Sequence, residues 1–160
     1  MNRIAAARIL LTLILLAGVV SSFVLDWSPN HLLNPAWHPH AKFHGALLLF
    51  FLTGSSSAAW WLLWRRSAEP VVAIRVAGAI AASFWAPLFF VPFVLPEASW
   101  WAGDTSHIPR YQGWAIYPNL LTAAVFLLAT AAAVWLPATE SRSWPVERDS
   151  QKPAKPVRGS

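Results

Sequence analysis

The chain has 160 residues, 56% of them hydrophobic and only 12% charged, with 11 Trp and 9 Phe. A water-facing domain carries about a quarter charged residues, and so short a chain cannot bury this much apolar surface inside itself, so the surplus must face lipid. The formal charge of +5 does not point to nucleic acid, because the basic residues sit at the ends of apolar segments and in the tail; the lack of cysteine excludes disulfides, thiolate metal sites and Cys nucleophiles.

Four apolar segments follow one another: Ile4–Leu25, Phe43–Trp64, Val71–Leu95 and Trp114–Leu136. Each exceeds the ~30 Å hydrocarbon thickness at ~1.5 Å per residue, and without strand-like alternation only helices satisfy their backbone groups in lipid. The sequence therefore predicts an all-α membrane protein, a four-transmembrane-helix bundle with helices over about 4–25, 39–64, 71–95 and 114–136. Residues 1–136 form that domain, and 137–160 read as a disordered cytoplasmic tail of prolines and mixed charge. The first segment is too long for a signal peptide and offers no small-x-small cleavage site. Aromatic residues flank the spans: Trp27, Trp37, Trp100, Trp101 and Trp114 at one end, Trp60, Trp61, Trp64 and Trp135 at the other.

Orientation follows from charge. Arg3, Arg8, Arg65, Arg66, Arg75, Arg142, Arg148, Lys152, Lys155 and Arg158 fall on one side, and only Lys42 and Arg110 on the other. The excess predicts both termini in the cytoplasm of a multi-pass protein of the bacterial inner (plasma) membrane.

All five histidines, His31, His38, His40, His44 and His107, fall on the outer side. The densest polar stretch runs from Asn34 to Gly45, where Pro39 suits the first turn of the second helix and puts His40 and His44 at i and i+4 on one face. That spacing lets two imidazoles converge on one metal ion; alternatively His44, a turn deeper, is an axial haem ligand. It also fits two plainer roles, anchoring the helix end or acid–base work on a substrate. Trp37 and Phe51 are candidate cofactor contacts beside the pair. Helix 1 ends in Asp26, and helix 4 is predicted to open at Arg110 and to carry Asn119, so Asp26, His44 and Asn119 are expected to meet near the outer mouth, with Arg110 as a further polar partner. Pro87, Pro92 and Pro96 either bend helix 3 into a pocket or mark an irregular packed helix. Gly18-x-x-x-Ser22, Gly54-x-x-x-Ala58 and Gly78-x-x-x-Ala82 are close-packing faces for helices.

The run Asn34-Pro35-x-Trp37-x-Pro39-His40-Ala41-Lys42-Phe43-His44 resembles the loop-into-helix motif of a family of small four-helix membrane proteins of bacteria and fungi that has no assigned reaction. That resemblance implies a shared fold. Ala41-Lys42-Phe43-His44 is also similar, more weakly, to the Ala-Arg-x-His of styrene oxide isomerase, a four-helix membrane enzyme that binds haem b; the similarity implies His44 as the iron ligand. This chain has Phe50 where that family has Asn, and it lacks that family's helix-3 Tyr, so fold and haem carry over better than epoxide isomerisation.

Two functions follow as expectations. In the first, the protein binds haem b or a transition metal at an outer-facing pocket, with His44 as ligand and His40 as second ligand or acid–base group. It then acts as an isomerase or oxidoreductase on a small lipophilic molecule, with Asp26, Asn119 and Arg110 as partners. In the second it holds no cofactor and is an accessory subunit that binds lipid, a partner helix or a second copy of itself.

Overall fold

The structure, a computed structural model, describes residues 2–101 and 105–139. Four helices are long and apolar enough to cross a membrane. Helix α1 spans Arg3–Asp26, α2 Pro39–Trp64, α3 Pro70–Trp85 and α5 Pro118–Trp135, the third span being α3 with the 3₁₀ turn that continues it to Phe89, and a single helical turn, α4 (Val91–Val94), lies between α3 and α5. The tail assignment from residue 140 onward lies outside the described residues.

Local chemistry sets the helix starts. The Asn2 side chain caps α1 by accepting from the Ala5 N–H at 2.7 Å. Prolines occupy the first position of α2, α3 and α5, where the missing N–H has no helical partner to lose. The fourth span starts at Pro118 rather than at residue 114. A residue before proline is pushed out of the α region, and Tyr117 is extended at φ −103° and ψ 105°. Ahead of it, Arg110–Tyr111 (β1) pairs antiparallel with Trp114–Ala115 (β2). Gln112 and Gly113, both at positive φ, make the two-residue turn that such a hairpin requires.

The third span also differs from the continuous helix expected over 71–95. It remains α-helical to Trp85, tightens to a 3₁₀ turn over Ala86–Phe89, and resumes as α4. Pro87 and Pro92 cannot donate to Ser83 and Leu88 four residues before them, so the α ladder breaks twice within a few residues.

The helices pack in a ring in which α1 touches α2 and α5, and α3 touches α2 and α5. Helices α1 and α3 also meet across the diagonal, leaving α2 and α5 at opposite corners. The shared core is built largely from small residues: Ala7, Ala59, Ala77, Ala81 and Ala133 are buried beside Leu11, Leu63 and Ile74. Lipid is as apolar as leucine, so close backbone approach rather than hydrophobic burial drives such packing. Gly78 shows how close it is, since a Cβ there would overlap Val134 of α5. Outward faces carry Leu13, Leu16 and Val20 on α1 and Leu121, Val125 and Leu128 on α5, all exposed, as a lipid-facing surface requires.

Candidate functional site

The loop between α1 and α2 is held tightly against the start of α2. Asn34 accepts from the Ala36 N–H through its side chain (2.9 Å) and from the Trp37 N–H through its carbonyl (3.2 Å), which folds the Asn-Pro turn. Leu32 is buried beneath Gly45, where a Cβ would stand 3.1 Å from Leu32 Cδ2 and 3.8 Å from the Trp37 ring. His38 is the cap residue of α2, and its Nδ1 accepts from the His40 N–H at 3.2 Å.

Two side chains then converge. His40 Nε2 and His44 Nε2 are 3.0 Å apart, with ring centroids 4.5 Å apart and planes at 88°. Phe43 flanks both, stacked on His40 at 6.2 Å and edge-on to His44 at 5.5 Å. Both histidines are exposed, on the flank of α2 away from its buried Leu49, Leu52 and Ser56.

The other candidates lie elsewhere. Asp26 faces His31 at 3.9 Å. Asn119 donates to the Trp100 carbonyl at 3.0 Å. Arg110 is in the β1–β2 hairpin and reaches its own turn at the Gly113 carbonyl, 3.4 Å away. Trp37 packs edge-on against His31 at 6.0 Å, and Phe51 is 70% exposed. The expected meeting of Asp26, His44 and Asn119 therefore does not occur, because α2 and α5 stand at opposite corners with α1 and α3 joined between them. Among the seven candidates only His40 and His44 come together.

A different polar cluster joins the 3₁₀ turn after α3, α4 and the start of α5. Trp100 Nε1 donates to the Leu88 carbonyl at 2.6 Å, the group that Pro92 leaves without a helical donor. The Trp100 carbonyl accepts from Asn119, and its ring packs between Phe93 at 5.8 Å and Tyr117 at 5.5 Å. The signal for this patch was the proline itself: counting back four residues from Pro92 identifies the orphan carbonyl. A cavity lined by Gly18, Ser56, Phe84 and Trp85 among others measures about 10 Å³, room for one water at most.

The His40–His44 geometry can be tested against a metal. First-row ions sit ~2.0–2.1 Å from imidazole nitrogen, so one ion shared across 3.0 Å would see the two at roughly 95°. That is a cis pair of a square-planar or octahedral ion, and a tetrahedral ion needs the rings to part by only a few tenths of an ångström. Among the described residues no group of three or more His, Asp or Glu could hold a metal, so water or a ligand would fill the other positions. For a haem the fit is poorer, since the rings against His44 come from its own helix turn and Phe51 faces outward.

A family model described as a family of unknown function (DUF6640) matches residues 10–137. Neither the curated proteins nor the solved structures give a match.

Proposed function

The chain belongs to that family, whose model covers residues 10 to 137, and we propose that it is a multi-pass membrane protein that holds a transition-metal ion between His40 and His44. The observation that supports this reading is the 3.0 Å approach of two Nε2 atoms on the exposed start of a membrane helix. Among the described residues neither ring makes a hydrogen bond or a ring contact with another helix. In this reading both termini are cytoplasmic, by the ten-to-two division of basic residues, and the pair faces the outer side of a bacterial inner membrane. A bound ion with open positions would supply Lewis acidity toward an oxygen or nitrogen donor on a small lipophilic molecule. The chain's own part is to hold two neutral imidazoles in register, which Pro39, the His38 cap and the clamped loop do by fixing the first turn of α2.

The test is metal titration of the purified full-length protein with Cu²⁺, Ni²⁺ and Zn²⁺, read by calorimetry and elemental analysis. One ion per chain is expected, with His40→Ala and His44→Ala each weakening binding at least tenfold and His38→Ala leaving it intact. Equal binding by the protein and by the His40→Ala/His44→Ala double variant overturns the reading. A Soret band lost in His44→Ala but kept in His40→Ala replaces the ion with haem.

One observation favours a second reading, an accessory subunit. Gly54 and Ala58 are exposed on α2, and a Cβ at Gly54 would meet nothing within 4 Å, which leaves a small-residue face open to a partner helix.

A further inference from the structure

We propose that the seam between α1 and α2, at the end of the bundle that carries the N-terminus, binds the phosphate of an anionic membrane lipid through Arg8 and Arg65. Arg8 lies in the second turn of α1, beside the buried Ala7 and Leu11. Its Nε is buried and has no hydrogen-bond partner among the described residues. A guanidinium does not give up its proton, so within an apolar helix it needs an anion or must extend to the headgroups.

The register of the two helices brings a second cation to the same level of the bundle. Trp64 Nε1 donates to Thr12 Oγ1 at 2.9 Å, across antiparallel α1 and α2. Arg8 is one turn from Thr12 toward the N-terminal end, and Arg65 follows Trp64 toward that same end. The Arg65 guanidinium lies over the Trp61 ring, 5.4 Å from its centroid, which holds it at the rim. Trp61 and Trp64 are both more than half exposed there and offer the amphipathic surface that suits the headgroup level.

Charge complementarity selects the occupant. Among the described residues this end carries Arg8, Arg65, Arg66 and Arg75 besides Arg3, and the carboxylate of Glu69. The Asp26–His31 pair is at the opposite end. Arg8 Nε thus has no anion among the described residues, and at the rim of four membrane-crossing helices a lipid phosphate is the anion at hand. The planar fork of arginine matches it, and the Nη atoms beyond the buried Nε are the ones that reach out to it.

The experiment is native mass spectrometry of the full-length protein released from vesicles of equal phosphatidylglycerol and phosphatidylcholine. The protein is expected to retain phosphatidylglycerol preferentially. Arg8→Gln and Arg65→Gln should each reduce that retention roughly fivefold without changing phosphatidylcholine retention. Arg65 is exposed at the cap of α2, so its variant tests the site even if Arg8→Gln disturbs folding. Excess inorganic phosphate should leave the lipid in place. Equal retention of the two lipids, unchanged retention in both variants, or displacement by inorganic phosphate each overturns the proposal. So does a Glu140→Gln/Glu147→Gln/Asp149→Asn variant that gains a phosphatidylglycerol preference the unaltered protein lacks, which would assign Arg8 to the tail carboxylates.

Discussion

At the end of the bundle that holds the histidines, the two halves of the molecule treat polar groups differently. In the α3–α5 half, Trp100 donates to the Leu88 carbonyl and accepts from Asn119, joining three chain segments. In the α1–α2 half, the side chains of His40 and His44 bond, among the described residues, only to each other, on one helix and exposed. The first arrangement satisfies a backbone group that a proline has orphaned, in surroundings where an unmet carbonyl costs several kcal/mol. The second satisfies nothing the fold requires. Polar groups with a packing task and polar groups without one are thus separated by half of the molecule, and the second kind is where a ligand is to be sought.

The largest effect that would sharpen this contrast is at Trp100. Trp100→Ala removes both the donor and the ring between Phe93 and Tyr117, and should lower unfolding stability in detergent by about 3 kcal/mol. Trp100→Phe keeps a ring and loses the donor, with an expected loss of about 1–2 kcal/mol. If denaturant midpoints for Trp100→Phe match those of the unaltered protein, the Leu88 carbonyl has another donor and the patch is not structural.

Next in size is Gly78→Ala. Its Cβ would overlap Val134, so α3 and α5 must separate, at a cost of about 1–2 kcal/mol. Thermal unfolding checks it, and a further Val134→Ala change should recover most of the loss by removing the overlapping methyl groups.

Physical reasons decide which of these features the sequence could disclose. Four apolar helices were legible because length and hydropathy alone dictate them in lipid. The His40–His44 spacing was legible too, being a property of one helix turn. The order of helices around the bundle was not, because lipid-facing and helix-facing positions are equally apolar. That is why Asn119 was expected near His44 when α5 stands across from α2. The same blindness made Gly54 and Gly78 look alike, although one faces open space and the other a valine methyl group. The hairpin before α5 was hidden by its apolar neighbours, although Gln112-Gly113 and Pro118 carried the turn and the start.

Smaller still is the effect expected on stability at the histidine pair. His40→Ala and His44→Ala remove an exposed contact within one helix, so each should change unfolding stability by less than about 0.5 kcal/mol. A loss above about 2 kcal/mol would give the pair a structural task and erase the contrast between the halves.

Gly54→Leu provides the finest discrimination, because intrachain stability and association should respond differently. No atom lies within 4 Å of a Cβ at that position, and leucine is a better helix former than glycine, so unfolding stability should hold or rise by about 0.5–1 kcal/mol. If a partner helix uses the Gly54–Ala58 face, the added side chain blocks close approach, and energy transfer between labelled copies in vesicles, or co-purification of a second protein, should fall. Metal binding at His40 and His44, some three to four turns away along α2, should not change. Association lost with metal binding retained would make α2 a helix of two separate surfaces. Association and metal binding lost together would mean that the ion is held between two chains, with the open ligand positions of each histidine pair filled by its partner.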